Sequence, residues 1–248
     1  MKKVLIVLLA TIMFSTVAFG NGKRLKEKRI NNKEMMNFEL NDEQGMVGNG
    51  GPLLSVLFLD LSELNVKLKS AGFKELEGQK YGNYNVMYAF GGGGIGGTFK
   101  NRFGGYGATG RIMSIIGDKK VKLEIGYGGF VYEKGLFLIK STGTNVSAGF
   151  LFGGGNATLT LIYDDIKNEF GEVIAAPHSN ILTKEYLMFA PRLNIHQRIG
   201  SFISLDLSAE YMMNLDLQGK WQLDDEEIDG PLSNSQSPVF GARLSFGI

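Results

Sequence analysis

Between Ile203 and Leu215 every odd-numbered residue is apolar: Ile203, Leu205, Leu207, Ala209, Tyr211, Met213 and Leu215. Ser204, Asp206, Ser208, Glu210 and Asn214 hold most of the even positions. A helix repeats every ~3.6 residues and cannot sort such a run onto two faces, whereas a strand with period two does so without effort. The preceding segment sets Leu187, Phe189, Leu193, Ile195 and Ile199 against Arg192, Asn194, His196 and Arg198. Phe240, Ala242, Leu244, Phe246 and Ile248 alternate with Gly241, Arg243, Ser245 and Gly247 in the same way. Strands with one apolar face and one charged face must place the two in different surroundings, which restricts the chain to sheets that are layered or closed.

Composition agrees with sheet. Glycine supplies 35 of 248 residues, about twice the ordinary ~7%, and no collagen-like period accompanies it. The absence of cysteine removes disulfides, thiol catalysis and thiolate metal sites. Only His178 and His196 remain as imidazoles, and 26 basic residues face 25 acidic ones, so no global positive field points to nucleic acid. No cofactor is expected.

The N-terminus has the form of an export signal: Lys2 and Lys3, an uncharged run from Val4 to Phe19, then Ala18 and Gly20 at cleavage-site spacing. Residues 1–20 are therefore expected to leave the mature chain. Residues 21–52 read as a basic leader, its charge concentrated in 21–33, where Lys23, Arg24, Lys26, Lys28, Arg29 and Lys33 stand against Glu27. Within 53–80 the spacing of Leu61, Leu64 and Leu68 predicts a short amphipathic helix over Ser62–Ala71, capped by Ser62 or Asp60 and ended by Gly72. Its expected part is a latch on the main domain.

The remainder, 81–248, reads as an antiparallel up-and-down barrel of about eight strands. They fall near 83–91, 102–116, 119–131, 142–152, 157–163, 186–199, 203–215 and 238–248, separated by connections of alternating length. The hairpin at Gly200 fixes a register. Partners must share a face, so a three-residue connection sets Ile195 against Leu207, Leu193 against Ala209, Arg192 against Glu210 and His196 against Asp206.

With an export signal, alternating strands and an apolar, aromatic final strand, the chain resembles the small eight-stranded outer-membrane β-barrel proteins of diderm bacteria. The resemblance is architectural and covers about two thirds of the chain. In that group the terminal strand usually ends on phenylalanine, whereas here Phe246 is followed by Gly247 and Ile248. It implies the outer membrane as location, lipid as partner on the apolar faces, and external contact through loops 164–185 and 216–237. A periplasmic or secreted location is the alternative.

Lys120, Lys122, Glu124, Arg192, His196, Arg198, Asp206, Glu210 and Arg243 are then expected inside, as a closed polar network, because eight strands enclose only enough room for side chains. Gly91, Gly93 and Gly96 satisfy G-x-G-x-x-G but no helix pattern follows, so no dinucleotide site is expected. Glycines beside aromatics, as in Phe152–Gly155, read instead as close strand packing. The acidic run Asp224, Asp225, Glu226, Glu227 and Asp229 lacks EF-hand spacing and reads as a solvated loop. The function these readings favour is a non-enzymatic barrel with a structural or adhesive role. One alternative is a soluble exported barrel or sandwich that turns its apolar face inward around an apolar ligand, without the G-x-W signature of lipocalins. The other is an outer-membrane barrel hydrolase built on His196.

Overall fold

The computed structural model describes residues 47–139, 142–163, 178–215, 220–223, 226–228, 230 and 236–247. The expected export signal, the leader up to residue 46, loop residues 164–177 and most of 216–235 lie outside the described residues.

Eight long strands close a ring. In chain order the elements are β1 (Val47–Leu59), helix α1 (Ser62–Ser70), β2 (Gln79–Tyr81), β3 (Tyr84–Gly97), β4 (Asn101–Ile116), β5 (Lys119–Ile139), β6 (Thr144–Tyr163), β7 (His178–Arg198), β8 (Ile203–Leu215), β9 (Trp221–Leu223), β10 (Glu226–Ile228) and β11 (Gln236–Gly247). Each long strand is antiparallel to the next through β8, β8 pairs with β11, and β11 pairs with β1, which also pairs with β3. Connections 98–100, 140–143 and 199–202 lie at the end where β1 starts and β11 finishes. Connections 60–83 and 117–118, the end of β6, the start of β7, the end of β8 and the start of β11 lie at the other, loop-rich end.

The number eight is as expected, but two of its members are not. Residues 47–59, read as leader and helix segment, form the first barrel strand. Leu54, Val56 and Phe58 face outward while Leu53, Leu57 and Leu59 are buried inside, and a strand apolar on both faces shows no period of two. Conversely, 142–152 and 157–163 are one strand, with Gly153, Gly154 and Gly155 paired in register to Gly129, Gly128 and Tyr127. A Cβ on Gly155 would run into the Tyr186 ring, and one on Gly153 would lie well inside contact distance of the Gly128 carbonyl oxygen. Glycine there makes room for a neighbour and is no turn. β5 likewise runs past residue 131 to Ile139, with a bulge between Gly135 and Phe137.

The expected register of the β7–β8 hairpin is the observed one: Ile195↔Leu207, Leu193↔Ala209, Arg192↔Glu210 and His196↔Asp206. Outward residues of this half are aliphatic and open, Leu193 being 55% exposed, while Arg192, Asn194, Asp206 and Glu210 are buried. Aromatic rings carry the apolar outer wall onward, from Phe103 to Tyr132 (centroids 5.2 Å), Tyr132 to Phe150 (5.8 Å) and Phe150 to Phe189 (5.6 Å).

β5, β6 and β7 contain 21, 20 and 21 residues, about twice the ~9–11 that a tilted strand needs to cross hydrocarbon. Their surplus at the loop-rich end has the faces reversed. Lys120, Lys122, Glu124, Thr158, Thr160 and Glu185 point outward, whereas Val121, Leu123 and Leu159 are buried inward. Those inward residues join one cluster with Leu64, Leu68 and Leu76 of the α1 segment and with Trp221 of the β9–β10 hairpin.

Helix α1 is therefore a stopper, held by local bonds. Asp60 Oδ1 accepts from the Ser62 amide (3.0 Å) and hydroxyl (2.6 Å), which holds its carboxyl below the usual range; this contribution is present above the ordinary carboxylate value and fades as pH falls through the lowered one. At the C-terminus Gly72 has φ +76°, with Phe73 N–H donating to Leu68 O (2.9 Å) and Gly72 N–H to Lys69 O (3.0 Å), a Schellman close. Asn65 clasps the Leu76 backbone from both sides (2.8 and 3.2 Å).

Two predictions follow from these faces. Leu207→Arg should cost about 2–4 kcal/mol and Thr160→Arg about 0–1 kcal/mol in urea unfolding of vesicle-refolded protein; equal losses would contradict the assignment of the outer wall. Gly153→Ala should abolish the heat-modifiable band on detergent gels while Gly154→Ala, whose Cβ would lie 3.2 Å from the Tyr186 carbonyl oxygen and need a shift of only a few tenths of an ångström, keeps it.

Candidate functional site: an enclosed ionic cluster beneath a dry cap

The half of the interior nearest the chain ends holds three guanidinium groups and three carboxylates. Alternation on β7, β8 and β11 delivers Arg192, Asp206, Glu210 and Arg243; β4 and β5 add Arg102 and Glu133. Asp206 is the hub. Its carboxylate meets Arg243 Nη2 at 3.2 Å, Arg102 Nη2 at 3.7 Å and His196 Nδ1 at 2.9 Å, and accepts from Ser245 Oγ at 2.8 Å and Asn194 Nδ2 at 3.4 Å. Glu133, with no exposed surface, lies 3.5 Å from Arg102 and 3.3 Å from Arg192 and accepts from Ser147 Oγ at 3.0 Å. Arg192 also reaches Glu210 at 3.8 Å and lies 5.2 Å above the Tyr106 ring, while the Tyr106 hydroxyl donates to Glu210.

Three charges of each sign cancel, which is how ionised groups persist away from water. The space left among Leu53, Tyr106, Arg192, Asn194, Asp206 and Arg243 is about 10 Å³, no more than one water requires (~10–15 Å³). No solute passes this level. Below it a vestibule of about 620 Å³ opens toward the chain ends, lined among others by Asn49, Phe99, Arg102, Asn145, His196 and Arg198.

The positions expected from sequence separate into three groups. Arg192, Asp206, Glu210 and Arg243 are in the cluster, with His196 half-buried at its edge. Arg198 lies at the rim and donates to the carbonyls of Gly200 (3.0 Å) and Ser201 (3.1 Å). Lys122 and Glu124 are a correction, as is Lys120: all three face outward, Lys122 and Glu124 pairing 3.2 Å apart. Parity alone does not say which face is enclosed: in this stretch the inward residues are the apolar Val121 and Leu123, which pack with the α1 segment. Arg102 and Glu133 were missed, although a signal existed: the two-residue turn Gly117–Asp118 sets Ile116 against Lys119, and that register carried down the hairpin sets Arg102 against Glu133.

The cluster offers little to catalysis. Among the described residues the His196 imidazole bonds Asp206 and no serine hydroxyl, and no group of three or more His, Asp or Glu side chains is arranged to hold a metal.

Removing one member leaves buried charge without its partner. Glu133→Ala should lower stability by about 3–5 kcal/mol in urea titration, against ~0.5 kcal/mol or less for the exposed neighbour Lys134→Ala.

No protein-family model matches the chain, and no curated protein matches it. Among solved structures it is similar to Ail, the attachment invasion locus protein of Yersinia pestis, in complex with the heparin analogue sucrose octasulfate, at 15% identity and TM-score 0.38, over 82% of this chain and 95% of that one. A second structure of Ail is similar at 17% identity and TM-score 0.32, with the same coverage. At those scores the likeness carries nothing about ligand or role; the pairing of its strands gives this chain the architecture of a small eight-stranded β-barrel.

Proposed function

We propose that the chain is a non-enzymatic barrel of a diderm outer membrane, structural or adhesive in role, with lipid around its wall and an extracellular ligand met through loops 164–185 and 216–237. One observation carries this reading: a closed wall, apolar outside, surrounds an interior filled by an ionic cluster and a dry cap. Hydrocarbon accepts only structures whose backbone groups are paired internally, and a closed barrel meets that condition. In this setting the short connections, the start of β1 and the end of β11 lie on the periplasmic side, as in bacterial barrels generally. The projecting halves of β5, β6 and β7 then form a stiff collar outside, and the β9–β10 hairpin is pinned on it by Trp221 and by Leu223 pairing with Leu182. Glu226 and Glu227, the described part of the acidic run, are exposed on that hairpin, and Lys220 holds Glu227 at 3.1 Å.

The soluble alternative requires the aliphatic rows to point inward. Rows such as Leu193, Leu244 and Phe246 are instead open on the outside, a wider apolar surface than soluble monomers present. For the hydrolase alternative, no described residue places a nucleophile in hydrogen-bond contact with His196.

The deciding experiment is extraction of the exported protein. It should remain with membranes through a carbonate wash, migrate in a heat-modifiable way, and give no steady conductance in planar bilayers. Release by carbonate would overturn the outer-membrane reading, and a stable open conductance would contradict the filled interior.

A further inference from the structure

The ring of pairing has a fork in it near the loop-rich end. β3 and β4 pair from Gly97↔Arg102 only as far as Ala89↔Gly110. Beyond that, β3 takes β2 as neighbour, Gln79↔Val86 to Tyr81↔Tyr84, while β4 continues to Ile116 with β5 alone. The cap segment reaches this loose edge through Ser114, whose hydroxyl donates to Glu75 O at 2.7 Å. A cleft of about 600 Å³ occupies the fork, lined among others by Val86, Tyr88, Phe90, Arg111, Ile112 and Met113.

Its mouth is on the outer wall. Tyr88, Phe90 and Met113 are exposed there, Phe90 to 68%, and the Tyr88 hydroxyl donates to Gln79 Oε1 of the paired strand β2 at 3.0 Å. The two acids beside the cleft are already matched: Glu124, opposite Arg111 in the ladder, pairs with Lys122 at 3.2 Å, and Glu77 pairs with Lys80 at 3.7 Å. Arg111 is exposed and, among the described residues, makes no hydrogen bond or ion pair. On β4 the outward residues beyond it are Met113 and Ile115, with Lys122 and Lys120 opposite them on β5; in the other direction they are aromatic, Phe103 and Phe130. An unneutralised guanidinium thus stands at the mouth of a slot lined by Val86, Tyr88, Phe90 and Met113 together with Gln79 and the two acids already matched.

Resting on the outer-membrane reading, we propose that this cleft seats an acyl chain of an anionic, phosphate-bearing lipid, with the phosphate on Arg111. The guanidinium fork matches phosphate geometry, and a headgroup without an amine of its own leaves that charge free to pair. The chain lies along Tyr88, Phe90 and Met113, and fills the slot that the divergence of β3 and β4 leaves in the wall.

The test uses the full chain in nanodiscs of equimolar phosphatidylglycerol and phosphatidylcholine, with co-purifying lipid read by native mass spectrometry. The wild type should retain phosphatidylglycerol roughly fivefold over phosphatidylcholine. Arg111→Gln should remove that preference and Lys122→Gln, on the same wall, should keep it. Equal retention of both lipids by the wild type, an unchanged preference in Arg111→Gln, or displacement of the lipid by millimolar inorganic phosphate would each overturn the proposal. If Arg111→Gln does not fold, the wild-type comparison decides alone. A chain that never enters the nanodisc overturns the outer-membrane reading along with the cleft, whereas one that enters without preference overturns the cleft only.

Discussion

An open sheet leaves two rows of unpaired amide and carbonyl groups, and everything in this molecule is arranged around not having them. Closure occurs where β11 takes β1 on one side and β8 on the other. Once the ring is shut, its diameter is set by the strand number, and the enclosed space is only wide enough for side chains. The ionic cluster, the stopper helix and the inward glycines are three ways of filling that space at different heights. Glycine is used where backbone or a tyrosine ring needs the volume, charge where six groups can neutralise one another, and aliphatic packing where a helix and a hairpin supply the partner surface.

The interior consequently changes character along the axis, and the exterior changes in the opposite sense. Near the start of β1 and the end of β11 the outside is apolar and the inside ionic; near the loop-rich end β5 and β6 turn polar residues outward and the inside is mostly aliphatic, with Lys184 buried in it. A single strand such as β5 contains both arrangements, Leu123 buried inward beside an outward Lys122 and, ten residues on, Glu133 buried inward beside an outward Tyr132. On the proposed reading, that inversion marks the height at which hydrocarbon gives way to water.

Such inversions explain what could be read from the amino acids and what could not. β8, β7 and β11 were legible because their inward residues are charged or small along most of their length, so the period of two survives and even the register follows. β1 was illegible because Leu53–Leu59 is apolar toward both neighbours, and a period requires contrast. The break placed at Gly153–Asn156 followed turn chemistry, which cannot tell a glycine that bends the chain from one that yields space to Tyr186. Lys122 and Glu124 were assigned to the wrong face because parity was taken as constant in meaning along a strand, when only the solvent decides which parity is wet. The buried pair Arg102 and Glu133 lay within reach of a register argument from the Gly117–Asp118 turn, and was lost when 132–141 was read as a connection.

The stopper and the vestibule together make the molecule one-sided. Aqueous ions can approach Asp206 and its arginines only from the end bearing Asn49 and His196, since α1 and Trp221 shut the opposite approach. Counterions outside the collar are therefore separated from these buried charges by a hydrocarbon-like layer of low polarisability, while those in the vestibule lie close to them. On the outer-membrane reading, the electrostatic state of the interior is thereby coupled to the salt composition of one compartment and insulated from the other.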